Sequence, residues 1–354
     1  MAGEAVRARS PDAPHAPGRQ AQRGDAARHT YAALDLGTNN CRLLVARPDL
    51  GAAGERDGLI IVDAFSRIVR LGEGLAASGR LSDAAMDRAV AALAVCADKL
   101  RRRNVCLSRA VATEACRRAA NGRDFVARVH GETGIALDII PAAEEARLAV
   151  MGCHTLLEPG EGPALIFDIG GGSTEVVLVA TGGPDAAPRI LQWASAPWGV
   201  VSLTESERGD LADEADRLDA YRRMKARVSE AFAEFAGTLP TGEGTPRLLG
   251  TSGTVTTLAS VHLGLASYDR RAVDGLIMPS DAMRDIGTML SKMSLAERAE
   301  LPCIGTDRAD LVAAGCAILE AILDIWPTAS LGVADRGIRE GILRGLMARD
   351  GYAV

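Results

Sequence analysis

The sequence lacks the features that define several classes of protein. None of its apolar runs reaches the roughly 20 residues of a membrane-spanning helix, so no transmembrane protein is predicted. A formal charge of −6 at pH 7 argues against a general nucleic-acid-binding surface. There is no CxxC pair and no cysteine–histidine spacing typical of a metal site. The seven cysteines are therefore expected to be buried thiols in a reducing cytoplasm.

The first 29 residues also lack structural signals. They are rich in Ala, Arg, Pro and Gly, with neither hydrophobic periodicity nor the apolar segment of a signal peptide. This composition predicts a disordered tail over residues 1–29. The whole chain has 354 residues with 47% hydrophobic and 24% charged side chains, which is ordinary for a globular protein and long enough for two domains.

Apolar periodicity in the rest of the chain predicts one order of elements, βββαβαβα, twice. The first copy is predicted as strands 31–36, 41–47 and 58–69, helix 83–103, strand 105–113, helices 113–120 and 123–131, strand 135–140 and helix 142–157. The second is predicted as strands 164–169, 174–180 and 189–195, helices across 200–236, strand 246–250, a helix from 253, strand 329–333 and a last helix. A period of this length indicates a duplicated α/β domain with a mixed sheet flanked by helices.

Two stretches, TYAALDLGTNNCRLLVARP (30–48) and GPALIFDIGGGSTEVVLVATG (162–182), share a design of apolar strand, Asp, Gly turn and second apolar strand. Superposed without a gap, the matching pairs are Asp35 with Asp168, Gly37 with Gly170, Asn40 with Ser173, and Arg42 with Glu175. Turns at strand ends in open α/β sheets face a cleft where ligands bind. The two turns therefore predict one shared site.

The residue types in these turns suit an anion. Glycines at 37, 170, 171 and 172 allow positive φ and a close approach of backbone amides to a ligand. A third turn, from Thr251 to Thr254, leads from a strand directly into a helix, where free amides favour phosphate. An ordinary hairpin turn and an ordinary Ser/Thr helix cap are the alternative interpretations.

The acids in the same turns suit a metal. Magnesium prefers hard oxygen ligands and commonly uses one or two carboxylates together with water and phosphate oxygens. Asp35, Asp168 and Glu175 are the candidate ligands. Glu144 and Glu145 follow in a predicted helix start, where acids also stabilise the helix dipole without any catalytic role.

Six motifs extend from about Tyr31 to Met347: ALDLGTNNCRLLVA, VATEACRRAANGRDF, PAAEEARLAVMG, LIFDIGGGSTEVVLV, LLGTSGTVTTLA and VADRGIREGILRGL. Together they resemble the exopolyphosphatase/guanosine pentaphosphate phosphohydrolase (Ppx/GppA) family. The resemblance implies the short form of an actin-like fold with two ribonuclease-H-like domains and an active site in the cleft between them. It implies domains at 30–160 and 161–335, and a C-terminal helix in 336–354 that packs back on the first domain.

For function, the resemblance implies hydrolysis of terminal phosphoanhydride bonds in inorganic polyphosphate, or in guanosine pentaphosphate, with Mg²⁺ or Mn²⁺. By position in the motifs, Glu145 matches the residue that activates water, Asp168 and Glu175 match acids of the metal and phosphate site, and Arg117 matches a phosphate contact. The matching phosphate loops contain Gly37, Thr38, Asn39, Asn40, Gly170, Gly171, Gly172, Ser173, Ser252, Gly253 and Thr254.

Two other functions remain open at this level: a small-molecule kinase of the same superfamily that uses ATP, and a non-catalytic actin-like scaffold. Phosphate release from polyphosphate without an acceptor distinguishes the hydrolase from the kinase. The expected partners are polyphosphate and guanosine pentaphosphate, with no membrane and no specific nucleic acid. A homodimer is left open.

Overall fold

The computed structural model describes residues 29–49, 58–158, 160, 162–181, 188–207, 212–238 and 246–352. The disordered tail predicted over residues 1–29 lies outside these residues, apart from His29. Of the helices in the described ranges, none combines the length and apolar character needed to cross a bilayer.

The first half of the chain forms a five-stranded sheet in the order β3-β2-β1-β4-β5. Its elements are β1 (Tyr31–Leu36), β2 (Asn40–Pro48), β3 (Leu59–Ile68), α1 (Leu75–Ser78), α2 (Asp83–Arg102), β4 (Leu107–Ala112), α3 (Glu114–Arg118), α4 (Gly122–Thr133), β5 (Leu137–Ile139) and α5 (Ala142–Cys153). The first three strands are antiparallel, as their short connections predict, whereas β4 and β5 are parallel to β1.

The second half forms a six-stranded sheet in the order β10-β11-β9-β6-β7-β8. Its elements are β6 (Pro163–Ile169), β7 (Thr174–Ala180), β8 (Arg189–Ala196), α6 (Val200–Ser206), α7 (Glu214–Thr238), β9 (Arg247–Thr251), α8 (Gly253–His262), α9 (Arg270–Val273), β10 (Ile277–Pro279), α10 (Ser280–Lys292), α11 (Leu295–Glu300), α12 (Val312–Ile325), β11 (Ser330–Ala334) and α13 (Ile338–Arg349).

The predicted α/β fold and its duplication are confirmed. Each sheet has a three-stranded antiparallel meander, β1–β3 or β6–β8, followed by two strands parallel to the first of them. The antiparallel strand β10 at the edge of the second sheet breaks the symmetry. The domain boundaries at residues 160 and 335 stay a prediction.

Side chains of β1 alternate between two apolar layers, because successive residues of a strand point to opposite faces. Leu34 and Leu36 pack with α2 and α4, whereas Tyr31 and Ala33 pack with α5 and the last helix, α13. Helix α5 also reaches the second sheet, where Val150 packs with Ile166 and Val177 of β6 and β7. The helix that carries Glu145 is therefore held between the two sheets.

Helices α5 and α13 approach so closely that glycine is required at their crossing. A Cβ atom on Gly341 would lie 2.1 Å from the Leu148 carbonyl oxygen, and one on Gly152 would lie 1.9 Å from the Gly337 carbonyl oxygen. The C-terminal helix thus lies on the first sheet although it follows the second in sequence. This packing brings the loop before α13 to the space between the halves.

Candidate active site

The two predicted glycine turns have the same backbone hydrogen bond. In the β1–β2 hairpin, the Gly37 amide donates to the Asn40 carbonyl oxygen at 2.9 Å. In the β6–β7 hairpin, the Gly170 amide donates to the Ser173 carbonyl oxygen at 3.0 Å. Neither glycine has a positive φ, so the conformational freedom predicted for them is not used.

The register of each hairpin places one charged residue opposite another. Asp35 pairs with Arg42 in the first hairpin, and Asp168 pairs with Glu175 in the second. Asp35 and Asp168 thus occupy equivalent positions in the two hairpins, and so do Arg42 and Glu175, which agrees with the ungapped superposition. One hairpin therefore carries balanced charge at this position, and the other carries two acids.

Both turns line one open cleft between the sheets, with about 720 Å³ of empty space that includes the part open to solvent. Most of the predicted site residues line it: Asp35, Gly37, Thr38, Asn39, Asn40, Glu145, Asp168, Gly170, Gly171, Gly172, Ser173 and Ser252. The remaining four, Arg117, Glu175, Gly253 and Thr254, do not.

The two turns also touch each other. A Cβ atom on Gly171 would lie 3.0 Å from Thr38 Cβ, and one on Gly172 would lie 2.6 Å from Thr38 Oγ1 and 2.9 Å from Glu114 Cγ. Side chains at these positions would force the halves apart. The glycines are therefore needed for the contact between the turns rather than for a special backbone conformation.

Glu145 lies in the first turn of α5, beside the cleft, and only 7% of it is exposed. Arg117 Nη1 donates to Glu145 Oε2 at 3.1 Å and to the Ile140 carbonyl oxygen at 2.7 Å. The Nε and Nη2 atoms of Arg117 donate to Glu114 Oε2 at 3.0 and 2.5 Å. Arg117 therefore holds the Glu145 carboxyl group in place, and a direct phosphate contact by Arg117 stays a prediction.

The neighbouring acids shift one another's pKa. Burial raises the pKa of Glu145 well above its ordinary value, Glu175 and Asp168 raise it further, and Arg117 opposes them. Burial, and then Asp35, raises the pKa of Asp168 to about 6. Burial, and then Asp168, raises the pKa of Glu175 to about 7. The acids repel one another in a desolvated site, so a cation is favoured there.

Glu175 lies behind the cleft, 2% exposed, and Ser195 Oγ donates to its Oε1 at 2.7 Å. One carboxylate oxygen of Asp35 is buried and has no hydrogen-bond partner within the part of the chain that the structure describes. Among the described residues no group of three or more acids, histidines or cysteines forms a ready-made metal cage. Magnesium does not need such a cage, because water and phosphate oxygens complete its shell. The unpartnered Asp35 oxygen and the mutually repelling acids therefore fit a hydrated divalent cation.

Glu144, the neighbour of Glu145, has a different environment. Arg147 Nε donates to its Oε2 at 2.7 Å, and Arg109 Nη1 donates to its Oε1 at 2.9 Å. The hydrogen bond from Arg147, and then that from Arg109, lowers the pKa of Glu144 to about 2 although burial opposes them. Glu144 is therefore a carboxylate paired with two arginines in the first turn of its helix, and it does not line the cleft.

The third predicted turn is strained at Ser252. This residue precedes α8 with φ 83° and ψ −176°, a region that side-chain-bearing residues rarely occupy. Its hydroxyl group accepts no hydrogen bond from the helix amides, so the ordinary Ser/Thr cap does not account for it. Strain of this kind is concentrated at functional sites.

Gly253 and Thr254, the next residues, line a second cavity that adjoins the cleft, with about 530 Å³ of empty space that includes the part open to solvent. The wall between the two cavities includes Arg42, and the far side includes Arg308 and Leu311. None of the described residues that line this second cavity is acidic. It therefore combines positive charge with an apolar surface, whereas the cleft itself is rich in acids.

Several cleft residues were not predicted. Arg336 and Arg339 come from the loop and first turn at α13, and Thr113 and Glu114 come from the end of β4. The signal for these residues is the one that identified the hairpins, namely polar residues directly after a buried strand. The sequence also contained a signal for Arg42, because this residue superposes on Glu175, which was itself a predicted site residue.

Comparisons with known proteins agree with this geometry. A profile of the Ppx/GppA phosphatase family matches residues 52–350. The chain is 32% identical over 296 residues to exopolyphosphatase 2 of Mycobacterium tuberculosis, which is 82% of this chain and 89% of that one. It is 30% identical over 321 residues to a guanosine-5'-triphosphate,3'-diphosphate pyrophosphatase of Aeromonas salmonicida, 90% of this chain but only 60% of that one.

Solved structures show the same relationship. A Ppx/GppA family member of Aquifex aeolicus superposes with a TM-score of 0.73 at 26% identity, covering 92% of this chain and 99% of that one. An exopolyphosphatase of Cytophaga hutchinsonii gives a TM-score of 0.76 at 25% identity with the same coverage. The extent of the profile match, together with these relatives, shows that the chain belongs to the Ppx/GppA phosphatase family.

Proposed function

We propose that this protein is an exopolyphosphatase that hydrolyses the terminal phosphoanhydride bond of inorganic polyphosphate and releases orthophosphate. The observation that supports this most is Glu145, a buried carboxyl group held by Arg117 beside a cleft lined by two glycine turns. The relative from Mycobacterium tuberculosis is named an exopolyphosphatase, which agrees with this reading.

In the proposed reaction, Glu145 orients a water molecule opposite the leaving oxygen and accepts its proton. A raised pKa suits this role, because a carboxylate that binds a proton more readily is a stronger base. Arg117 keeps the carboxyl group of Glu145 in place by donating to Oε2 while Ile140 and Glu114 hold the guanidinium.

Substrate charge is balanced by groups on both sides of the cleft. Arg42 and Arg339 line the cleft and are proposed to bind phosphate oxygens together with the amides of the glycine turns. Asp35, Asp168 and Glu175 are proposed to hold Mg²⁺ or Mn²⁺, and water and phosphate oxygens would complete the shell of the cation. Such a cation supplies further neutralisation of the phosphate charge.

A second activity, 5′-phosphate hydrolysis of guanosine pentaphosphate, has support of its own. The relative from Aeromonas salmonicida is named for a guanosine polyphosphate, although this chain spans only 60% of it. The second cavity has an arginine and an apolar wall, Arg308 and Leu311, beside the cleft. A nucleoside needs both kinds of surface, whereas a bare phosphate chain needs only the charge.

We further propose that the enzyme works in the cytoplasm as two domains, 30–160 and 161–335, with residues 336–354 packed on the first. All seven cysteines are free thiols, which supports a reducing compartment. The contacts of Ile342 and Leu343 with the first sheet support this place for the last segment.

Phosphate release from polyphosphate of defined lengths, beside guanosine pentaphosphate, tests the function. We expect release without any acceptor, dependent on Mg²⁺ and abolished by EDTA. Release only when a sugar or carboxylic acid acceptor is added would indicate a kinase instead. Full activity in EDTA would contradict the metal role, and nucleotide-dependent filaments without hydrolysis would indicate a scaffold.

A further inference from the structure

The segment Val69–Gly74, between β3 and α1, contacts both halves of the molecule, and we name it the latch segment. On its inner side it binds the first glycine turn through the backbone. The amides of Val69 and Arg70 donate to the Asn39 carbonyl oxygen at 2.8 and 3.0 Å, and the Gly72 amide donates to the Thr38 carbonyl oxygen at 2.9 Å. The latch segment therefore holds the β1–β2 turn, which is one of the two turns that line the cleft.

On its outer side the latch segment reaches across to the second half. Arg70 Nη1 and Nη2 donate to the two carboxylate oxygens of Asp310 at 2.9 and 3.2 Å, and Nη2 also donates to the Asp307 carbonyl oxygen at 3.3 Å. The Gly74 amide donates to Glu205 Oε1 of α6 at 2.8 Å. Two separate points of the second half are therefore bound to one short segment of the first.

Both anchor points are connected to the site. Asp310 lies between Arg308 and Leu311, which line the second cavity. Glu205 belongs to α6, whose first amides, of Val200 and Val201, donate to the carbonyl oxygens of the second glycine turn at 3.0 and 2.7 Å. The latch segment therefore joins the first turn to the elements that hold the second.

Arg70 itself has an uncommon backbone conformation, with φ 47°. Arg88 supports it from the first half, with Nε donating to the Val69 carbonyl oxygen at 2.9 Å and Nη2 donating to the Arg70 carbonyl oxygen at 3.2 Å. A non-glycine residue in the left-handed region persists where its surroundings hold it, often at functional positions. Here that conformation accompanies a guanidinium group that joins the two halves of the molecule by binding both carboxylate oxygens of Asp310.

We propose that Arg70 is a positioning residue, whose fork on Asp310 holds the two glycine turns at the spacing that hydrolysis requires. It acts through the latch segment and touches no reacting atom. This inference rests on the proposed function for its activity measurements, but its structural prediction does not. A fork of two parallel hydrogen bonds fixes both distance and orientation, which a single ammonium group cannot do.

A competing explanation is that Arg70 simply attracts the polyanionic substrate by its charge. The two explanations predict different effects of removing Asp310, the partner of Arg70. Removing Asp310 leaves the positive charge of Arg70 in place, so a pure attraction model expects Asp310→Ala to lower KM. If Arg70 is a positioning residue, Asp310→Ala should lower kcat, as Arg70→Ala does.

The experiment compares Arg70→Ala, Asp310→Ala and the double variant by steady-state phosphate release from polyphosphate with saturating Mg²⁺. We expect each single variant to lower kcat by about tenfold, since small displacements of reacting groups have effects of this order. The double variant should lose about as much as one single variant, because both remove the same contact. Arg70→Lys should regain little of the lost kcat, because the lysine ammonium group cannot donate two parallel hydrogen bonds to one carboxylate.

The exchanged pair, Arg70→Asp with Asp310→Arg, is the rescue test. Aspartate tolerates left-handed backbone better than most residues, so the backbone of position 70 is preserved. We expect the exchanged pair to regain more kcat than Arg70→Asp alone. Additive losses in the double variant, or Asp310→Ala with wild-type kcat and a lower KM, would overturn the proposal.

Hydrogen–deuterium exchange provides a readout without substrate. In the single variants, peptides that cover residues 36–42 and 69–74 should exchange faster than in the wild type, whereas a peptide from α12 should not. Unchanged exchange in both peptides would overturn the latch even if activity fell. If the wild type releases no phosphate at all, the proposed function fails, and the exchange data still decide whether the latch exists.

Discussion

The β1–β2 and β6–β7 hairpins share their backbone, but their charge differs. Each has a glycine amide bonded to the carbonyl oxygen three residues later, at 2.9 Å in one and 3.0 Å in the other. Opposite the aspartate of the turn, however, the first hairpin has Arg42 and the second has Glu175. A duplicated backbone has thus acquired two different electrostatic environments, one suited to phosphate oxygens and one suited to a cation.

The supports of the two turns differ as well. The first turn is held by the latch segment, with the Val69 amide on the Asn39 carbonyl oxygen. The second is held by the start of α6, with the Val201 amide on the Gly171 carbonyl oxygen. Each half therefore carries its own support, the Gly74 amide joins the two supports by donating to Glu205 Oε1, and the Arg70–Asp310 ion pair is a second link between the halves.

The largest effect is expected at Glu145, which belongs to neither hairpin but faces the acidic one. Glu145→Gln keeps the size of the side chain and removes the proton acceptor, so kcat for polyphosphate should fall by roughly 10² to 10⁴ while affinity stays nearly intact. Single-turnover phosphate release measures this. Glu144→Gln is the matched control and should lose far less, because Arg147 and Arg109 bind that carboxylate away from the cleft.

The next largest effect is expected on cation binding, where Asp168 and Asp35 should contribute unequally. Asp168 has an acid opposite it, whereas Asp35 has Arg42, so the second hairpin should contribute more to cation binding. Asp168→Asn should raise the Mg²⁺ concentration for half-maximal activity by on the order of tenfold, and Asp35→Asn by less. A magnesium titration of phosphate release compares them. Equal shifts would mean that the charge opposite each aspartate is irrelevant.

Arg42 tests the phosphate side of the same comparison. Arg42→Gln should raise KM for polyphosphate by about tenfold and reduce its dependence on salt, because an unscreened guanidinium contact is lost. The control is Arg101→Gln, at an exposed position near the end of α2. If the two variants have the same KM, Arg42 does not bind substrate.

A smaller effect concerns stability and pH in the metal-free protein. The pKa of Glu175 rises to about 7 and that of Asp168 to about 6, so the folded protein binds more protons than the unfolded chain. The contribution of Glu175 and Asp168 to stability is fully present below the pKa values that these groups have in the unfolded chain. It is lost as the pH rises to about 7, so the free energy of unfolding falls over that range.

Glu175→Gln should make this fall shallower and stabilise the metal-free protein above pH 7 by about 1 to 3 kcal/mol, because one desolvated charge is removed. Urea unfolding in EDTA at a series of pH values measures it. A pH dependence identical to that of the wild type would show that Glu175 is not desolvated as the structure indicates.

The smallest effect is expected at the third turn. Ser252→Gly should raise the free energy of unfolding by about 1 kcal/mol, because relief of strain at φ 83° exceeds the entropy that glycine adds to the unfolded chain. Gly37→Ala is the contrasting variant, since the turn glycine is not at positive φ and a Cβ there would lie 3.6 Å from its nearest neighbour, the Asn40 carbonyl oxygen. It should change stability little. Thermal unfolding of both variants decides whether strain is confined to the third turn.

Much of the fold was predictable because its signals are local. Tyr31–Leu36 and Thr174–Ala180 have the predicted bounds, and Ser82 caps α2 by accepting from the Ala85 amide at 3.2 Å. The segment from 263 to 328 was not assigned, and it contains four helices and the three-residue strand β10. Short elements in mixed sequence have little periodicity, so packing against neighbours decides them.

By itself the sequence determined which segments are strands, which residues occupy the turns and which positions of the two hairpins are equivalent, because these depend on neighbours a few positions apart. Only the tertiary structure decided that Arg117 binds Glu145 and that Glu175 lies behind the cleft, and it shows the contacts by which α13 returns to the first sheet, which only the family resemblance had implied. These contacts join elements far apart in the chain. Their geometry comes from how whole layers pack, which no local pattern of residues specifies.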